Sequence, residues 1–391
     1  PPPTPPQPPP PPTTRIECRR QRQMCIRDRL WRVDDHTERT SPSRGWIVPL
    51  SATVMVGFGV ILYGFSVYAT DEAAGADFSK TALSLAYGGS VFAGGLLAIP
   101  VGRFADDHGV RIIVGLGAVL GFLGLASFSL ANQSWQVIAA WWALLGPAQA
   151  MIYYEPAYVA IDQWSAPRDR ARTLATITLI GGLAGIVFIP LTAGLVSALG
   201  WRPAVLLLGI LLLATGGSTA LFALPHRRSG ESSRRALAGP GSSTWGFTRD
   251  HRFLLYTVAL MLMLLATQGV ITHRLARFEE GGFPLNTVAL LAAVASAMSL
   301  PGRWIAPRLA DRYGANRVQA IIAVIVALSV VLMVGGTSRW QMVAHFLLFG
   351  LAFGALLPMR AMVMGAWYSG PIYGRIMGTQ WTAVVLVGAS G

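Results

Sequence analysis

Gly102-Arg103-Phe104-Ala105-Asp106-Asp107-His108-Gly109-Val110-Arg111 is a charged, turn-forming stretch wedged between two long apolar runs. It returns 205 residues later as Pro307-Arg308-Leu309-Ala310-Asp311-Arg312-Tyr313-Gly314-Ala315-Asn316, where Arg308, Ala310, Asp311 and Gly314 repeat Arg103, Ala105, Asp106 and Gly109. The same offset pairs Phe78 with Phe283 and Trp135-Gln136 with Trp340-Gln341. A whole multi-helix unit is therefore duplicated, not one loop alone.

The apolar runs define the class. With 53% hydrophobic and 13% charged residues and a mean hydropathy of +0.50, the chain is too apolar for a soluble globular protein. A hydrocarbon core of ~30 Å needs about 20 apolar helical residues. Stretches of that kind fall at residues 46–69, 81–101, 110–131, 136–161, 173–199 and 203–224, then at 253–273, 285–306, 317–335, 340–366 and 374–391. The expectation is an all-α polytopic membrane protein of two pseudo-symmetric six-helix bundles, residues 46–224 and 253–391, with eleven helices in hand. A duplicated six-helix unit asks for a twelfth, so the second bundle is expected to be incomplete, broken off within helix 11.

The net charge of +13 is a matter of topology, not of nucleic-acid binding. Nine of the 31 Lys and Arg lie in residues 1–45, and most of the others follow helices 2, 4, 6, 8 and 10. Lys80, Arg202, Arg274, Arg277 and Arg339 sit at the opposite ends. The positive-inside rule then makes both repeated loops, the N-terminus and residues 225–252 cytoplasmic. Residues 1–45 read as a Pro- and Arg-rich leader without an apolar run, expected to be extended and disordered and not a signal peptide. Its Gln21–Arg29 run resembles read-through of a sequencing adapter, and no function is assigned to it. Cys18 and Cys25 in that leader match no metal-binding spacing. Residues 225–252, rich in Pro, Gly, Ser and Arg, read as a linker between the halves.

The doubled stretch resembles the signature of the major facilitator superfamily, G-x-x-x-D-[RK]-x-G-x-[RK], which occurs between helices 2 and 3 and again between 8 and 9. The resemblance covers essentially everything after residue 45. It implies alternating access between two bundles, a cavity lined by helices 1, 4, 7 and 10, and a switching role for Gly102, Arg103, Asp106, Gly109 and Arg111 and for Arg308, Asp311, Arg312 and Gly314. Each loop carboxylate is expected to bond a neighbouring helix N-terminus or to pair with Arg103, Arg308 or Arg312.

Polar residues inside the spans are the candidate site, because a charge at membrane depth is costly and normally faces a cavity or a partner. Arg303, in Ser299-Leu300-Pro301-Gly302-Arg303, lies eight residues before Asp311, or ~12 Å of helix inward. Its repeat counterpart is Ala98, so the guanidinium is an addition to one half, suited to reading a carboxylate. Helix 4 carries Gln149, Tyr153 and Glu155, helix 1 carries Tyr63, and helix 7 carries Gln268 and His273. Glu155 is the candidate proton site. The 205-residue offset places Arg360 opposite it, an expected inner gate across the pathway. Glycines four apart, Gly117 with Gly121 and Gly181 with Gly185, are expected to bring helix backbones together.

Arg303 eight residues ahead of the loop aspartate, with Tyr153-Tyr154-Glu155-Pro156 and Gly181-Gly182, resembles the bacterial monocarboxylate porter and oxalate/formate antiporter group. That resemblance implies a substrate carboxylate on Arg303. Ser299 stands where the animal carriers of this group have an acid, and helix 1 has no Lys. The expected function is secondary transport of small organic anions, proton-coupled or by exchange, by a monomer in a bacterial inner membrane. Drug efflux by proton antiport is the alternative, although Trp142 ahead of Gly146 and the Gly185–Pro190 run lack its signals. A non-transporting sensor or scaffold of the same fold is the alternative from another class. No nucleotide loop, nucleophile elbow or metal-ligand motif points to an enzyme, a cofactor or a metal.

Overall fold

The computed structural model describes residues 44–71, 77–225 and 245–388, and these hold helices and connections only. Among the described residues ten helical runs are long and apolar enough to cross a membrane: α1 (Arg44–Tyr68), α2 (Lys80–His108), α3 (Val110–Leu130), α4 (Ser134–Trp164), α5 (Pro167–Leu199), α6 (Trp201–Ala223), α7 (His251–Glu280), α8 (Leu285–Tyr313), α9 (Ala315–Val334) and α10 (Arg339–Tyr368). An eleventh, α11 (Tyr373–Gly388), is shorter at 16 residues. The expected leader up to residue 43 and linker residues 226–244 lie outside the described residues.

The duplicated stretch is not a loop through most of its length. Helix α2 continues to His108 and α8 to Tyr313, and the chain breaks only at Gly109 (φ 87°) and Gly314 (φ 93°). Both glycines sit in a region that side chains disfavour, and each donates its N–H back to the helix, to Ala105 O and Ala310 O. The expected turn is thus two helical turns of charged residues closed by one glycine, so Asp106 projects from a rigid helix end.

Packing divides the molecule by depth. One core is built only from α1–α6 with Phe78 and Ala131 beside them, including Val60, Trp141 and Leu208. A second is built only from α7–α10, including Val270, Phe278 and Phe346. The third joins both sets: Leu50, Val110 and Ile161 pack in one continuous cluster with Ala310, Leu356 and Met377. The two bundles are therefore fused at the end that carries Asp106 and keep separate cores at the other. The α2–α11 contact continues this closure. A Cβ on Gly102 would collide with the carbonyl of Gly374, and one on Gly378 with that of Ala98, so these backbones meet with nothing between them.

Candidate functional site

Three helices lose regularity at one level. Helix α1 winds as a π-helix over Phe58–Tyr63. Helix α4 is interrupted at Tyr153, whose backbone is extended (φ −79°, ψ −153°). The cause is Pro156: it has no N–H for the carbonyl of Ile152, and its ring crowds that turn. Helix α5 is interrupted at Leu183, just after the weak helix formers Gly181 and Gly182. Irregular backbone at membrane depth is tolerated where it is buried in protein or lines a cavity.

Side chains from three other helices converge on α5 there. The Tyr154 hydroxyl lies 2.6 Å from where a Cβ on Gly181 would stand, Arg303 Nε 2.8 Å from that of Gly182, and the Tyr63 ring 2.9 Å from that of Gly185. Gly181 and Gly185, expected to bring helix backbones together, instead make room for these side chains; Gly117 does pack helix on helix, against Met151 and Ile152 of α4. Arg303 donates from Nη1 to the Tyr154 hydroxyl at 3.0 Å and to Thr178 O at 3.4 Å. Its Nε has no hydrogen-bond partner, and among the described residues no carboxylate pairs with it. Tyr153 stacks on Phe58 (centroids 3.9 Å apart), and its buried hydroxyl is also unpartnered.

Glu155 and Arg360 meet across the bundles. Arg360 is wholly buried, donating from Nη1 to Glu155 Oε1 at 2.6 Å, from Nη2 to Glu155 Oε2 at 3.4 Å and to Met377 O at 2.7 Å, and from Nε to Gln380 Oε1 at 2.8 Å. Its guanidinium also lies 5.1 Å from the Trp381 ring centroid. Such a pair is strongly coupled: removal of either partner strands a desolvated charge, at a cost of about 3–5 kcal/mol.

Toward the fused end, Asp106 accepts from the backbone N–H of Gly374 and of Arg375, both at 2.8 Å, and so caps α11 from the other bundle. Asp162 on α4 likewise takes Arg170 at 2.7 Å and the N–H of Gly370 at 3.1 Å. The repeat is not symmetric in its contacts. Asp311 is exposed and makes no hydrogen bond among the described residues, and Asp169, near the start of α5, takes Arg44 at 2.9 Å. Arg308 folds back on Trp304 and Arg312 lies over Tyr313, while Arg111 holds the carbonyl of Leu221. Trp245, ahead of α7, lies between Arg103 (5.8 Å) and Arg375 (5.7 Å), one from each bundle.

The remaining candidates are not brought to Arg303. Gln149 is buried and donates to Ser90 of α2 at 2.9 Å. Gln268 and His273 are exposed on α7 and neither bond nor stack with the residues around Arg303. Sequence reasoning gave no place in the site to Phe58 and Thr178, and Tyr154 was passed over for Tyr153. The Pro156 break, which turns consecutive tyrosines to different neighbours, is the signal that points to Tyr154; Phe58 and Thr178 carry none.

A family model described as the Major Facilitator Superfamily matches residues 47–391. An MFS-type transporter of Aspergillus niger, pynF, is 26% identical over 337 residues, which cover 83% of this chain and 74% of that protein. Monocarboxylate transporter 13 of Bos taurus is 29% identical over 273 residues, covering 68% of this chain and 62% of the transporter. Among solved structures, the human organic anion transporter MFSD10 matches with a TM-score of 0.65 at 17% identity, over 88% of this chain and 92% of that one, a likeness of fold.

Proposed function

The chain belongs to the Major Facilitator Superfamily, and we propose that, as a secondary-active transporter of small solutes, it carries small organic anions held through a carboxylate on Arg303. The observation that carries this reading is the state of Arg303: a partly exposed guanidinium at membrane depth, bonded from Nη1 alone to Tyr154 and Thr178 O, with no carboxylate paired to it among the described residues. A charge in that position favours an anion, and the planar fork of a guanidinium matches a carboxylate. The similarity to a monocarboxylate transporter supports the same substrate class.

Movement follows from the uneven packing. Fused cores at one end and separate cores at the other describe one of the two states between which the bundles rock. With the basic loops cytoplasmic, this state is closed inward and open outward. Glu155 and Arg360 form the inner gate, and opening has to part them along with the Asp106 cap on α11. A proton on Glu155 removes the charge that holds Arg360, which gives a route for coupling transport to a proton gradient. The test is uptake of small mono- and dicarboxylates into proteoliposomes with and without an inward proton gradient. Uptake abolished in Arg303→Ala supports the reading; uptake indifferent to that change, or no carboxylate uptake by folded protein, refutes it.

A further inference from the structure

The surroundings of Arg303 say what the rest of the substrate looks like, and this step rests on the carboxylate reading above. The number of anionic groups comes first. Arg360, the other guanidinium at the bundle interface within the spans, has its Nε and both terminal nitrogens engaged by Gln380, Glu155 and Met377 O. Arg303 bonds from Nη1 alone, to Tyr154 and Thr178 O, and pairs with no carboxylate among the described residues. One carboxylate can be paired on Arg303 without breaking the gate, whereas pairing on Arg360 would break it.

The body of the substrate comes next. Tyr154, Arg303 and Tyr63 lie against Gly181, Gly182 and Gly185, positions that fall within about one helical turn. The guanidinium is thereby flanked by phenol rings from α4 and α1. Behind them Phe58 stacks on Tyr153 and tilts against Tyr154, with centroids 4.9 Å apart in the second pair. Phe58, Tyr63 and Tyr153 are each partly exposed. Aromatic walls favour a flat unsaturated body, for which offset or edge-on ring contacts add to area burial.

We infer that the substrate is an aromatic monocarboxylate, its carboxylate on the Arg303 guanidinium and its ring against Phe58, Tyr63 and Tyr153. A saturated ring of the same size keeps the carboxylate and the bulk but loses the ring-to-ring contact. Benzoate and cyclohexanecarboxylate therefore separate this inference from the carboxylate reading beneath it.

The experiment is thermal-shift titration of the detergent-solubilised full chain with benzoate, cyclohexanecarboxylate, lactate and oxalate, which avoids leak of neutral acids across a bilayer. The expected result is half-saturation by benzoate at a concentration at least tenfold lower than for the other three, lost in Arg303→Gln. Phe58→Leu and Tyr63→Leu should weaken benzoate about tenfold and so narrow its preference over lactate. Equal half-saturation by benzoate and cyclohexanecarboxylate, with both lost in Arg303→Gln, overturns the aromatic inference and leaves the carboxylate reading standing. Absence of any carboxylate-dependent shift overturns both. The comparison of ligands on the unaltered protein stands even if a ring variant fails to fold.

Discussion

Removing the Asp106 carboxylate should open the closed end of the transporter. Asp106 is buried, 7% exposed, and its two oxygens each accept one backbone N–H at 2.8 Å from the first turn of α11. Hydrogen bonds to a charged group are worth about 1.5–3 kcal/mol each, and two that share a carboxylate do not add fully. About 3 kcal/mol of the closed state's advantage is therefore at stake, or about two orders of magnitude in the closed-to-open ratio. The assay is alkylation by a membrane-impermeant thiol reagent of Met377→Cys, a position wholly buried at the joined core, with Cys18 and Cys25 replaced by Ser. Asp106→Ala should raise the modification rate from the Asp106 face by about 100-fold. Asp106→Asn, which keeps one neutral acceptor, should raise it about tenfold. Substrate turnover should slow in both, with little change in affinity. Asp311→Ala serves as the control, because that carboxylate is exposed and unbonded and its loss should change accessibility less than twofold. An unchanged modification rate in Asp106→Ala, or an equal increase in Asp311→Ala, refutes the reasoning.

Three further outcomes follow from the same contacts. Glu155→Gln should lower the Tm of the detergent-solubilised protein by several degrees, because Arg360 is left buried without its counter-charge; the reversed pair Glu155→Arg with Arg360→Glu should recover part of the transport lost in each single change, and a double variant as inactive as the singles argues against a gate. Gly102→Ala should favour the open state and slow uptake, because its Cβ meets the Gly374 carbonyl, whereas Gly88→Ala, with nothing within 4 Å, should transport normally. Trp245→Ala should raise Met377→Cys accessibility about fivefold, since two cation–π contacts of about 0.5–1 kcal/mol are lost. Near that latch the Tyr368 hydroxyl and the Arg252 N–H hold the Asp250 carboxyl below its usual pKa. A depressed carboxyl stabilises the fold above its unfolded pKa and loses that contribution as pH falls through the folded one, so acid should weaken the tie between α7 and α10 below the ordinary carboxylate range and Asp250→Asn should remove that dependence. A profile of Tm against pH for Asp250→Asn with the same acid limb as the unaltered protein counts against this contact.

Much of the scaffold is legible in the sequence because its causes are local or periodic. Apolar runs of membrane length, separated by charged stretches, fix where helices start and stop, and the 205-residue offset makes the architecture a repeat. That offset also pairs Glu155 with Arg360, because pseudo-symmetry about a membrane-normal axis carries equivalent positions to matching depth, and the two do meet at 2.6 Å. Arg303 stands out for the same reason, as a charge where the repeat has Ala98. Asymmetry is what the pattern conceals. Asp106 and Asp311 read alike, yet one caps a helix and the other faces out, because the bundles close through α2 and α11. Gln149 reads as a cavity residue on helix 4 and is turned to Ser90 instead, and Gln268 and His273 stay apart from Arg303.

The sequence by itself determined the helices, their duplication and the placing of charge at the bundle interface, since hydrophobic length, helix-breaking glycines and spacing act within a few turns of the chain. Only the tertiary structure decided which of two equivalent carboxylates caps a helix, which tyrosine holds Arg303, and that Gly181, Gly182 and Gly185 make room for side chains instead of another backbone. Those outcomes depend on how α1, α4, α5 and α8 rotate against one another. That rotation is set by the sum of many weak packing contacts between distant segments, and no single stretch of sequence carries it.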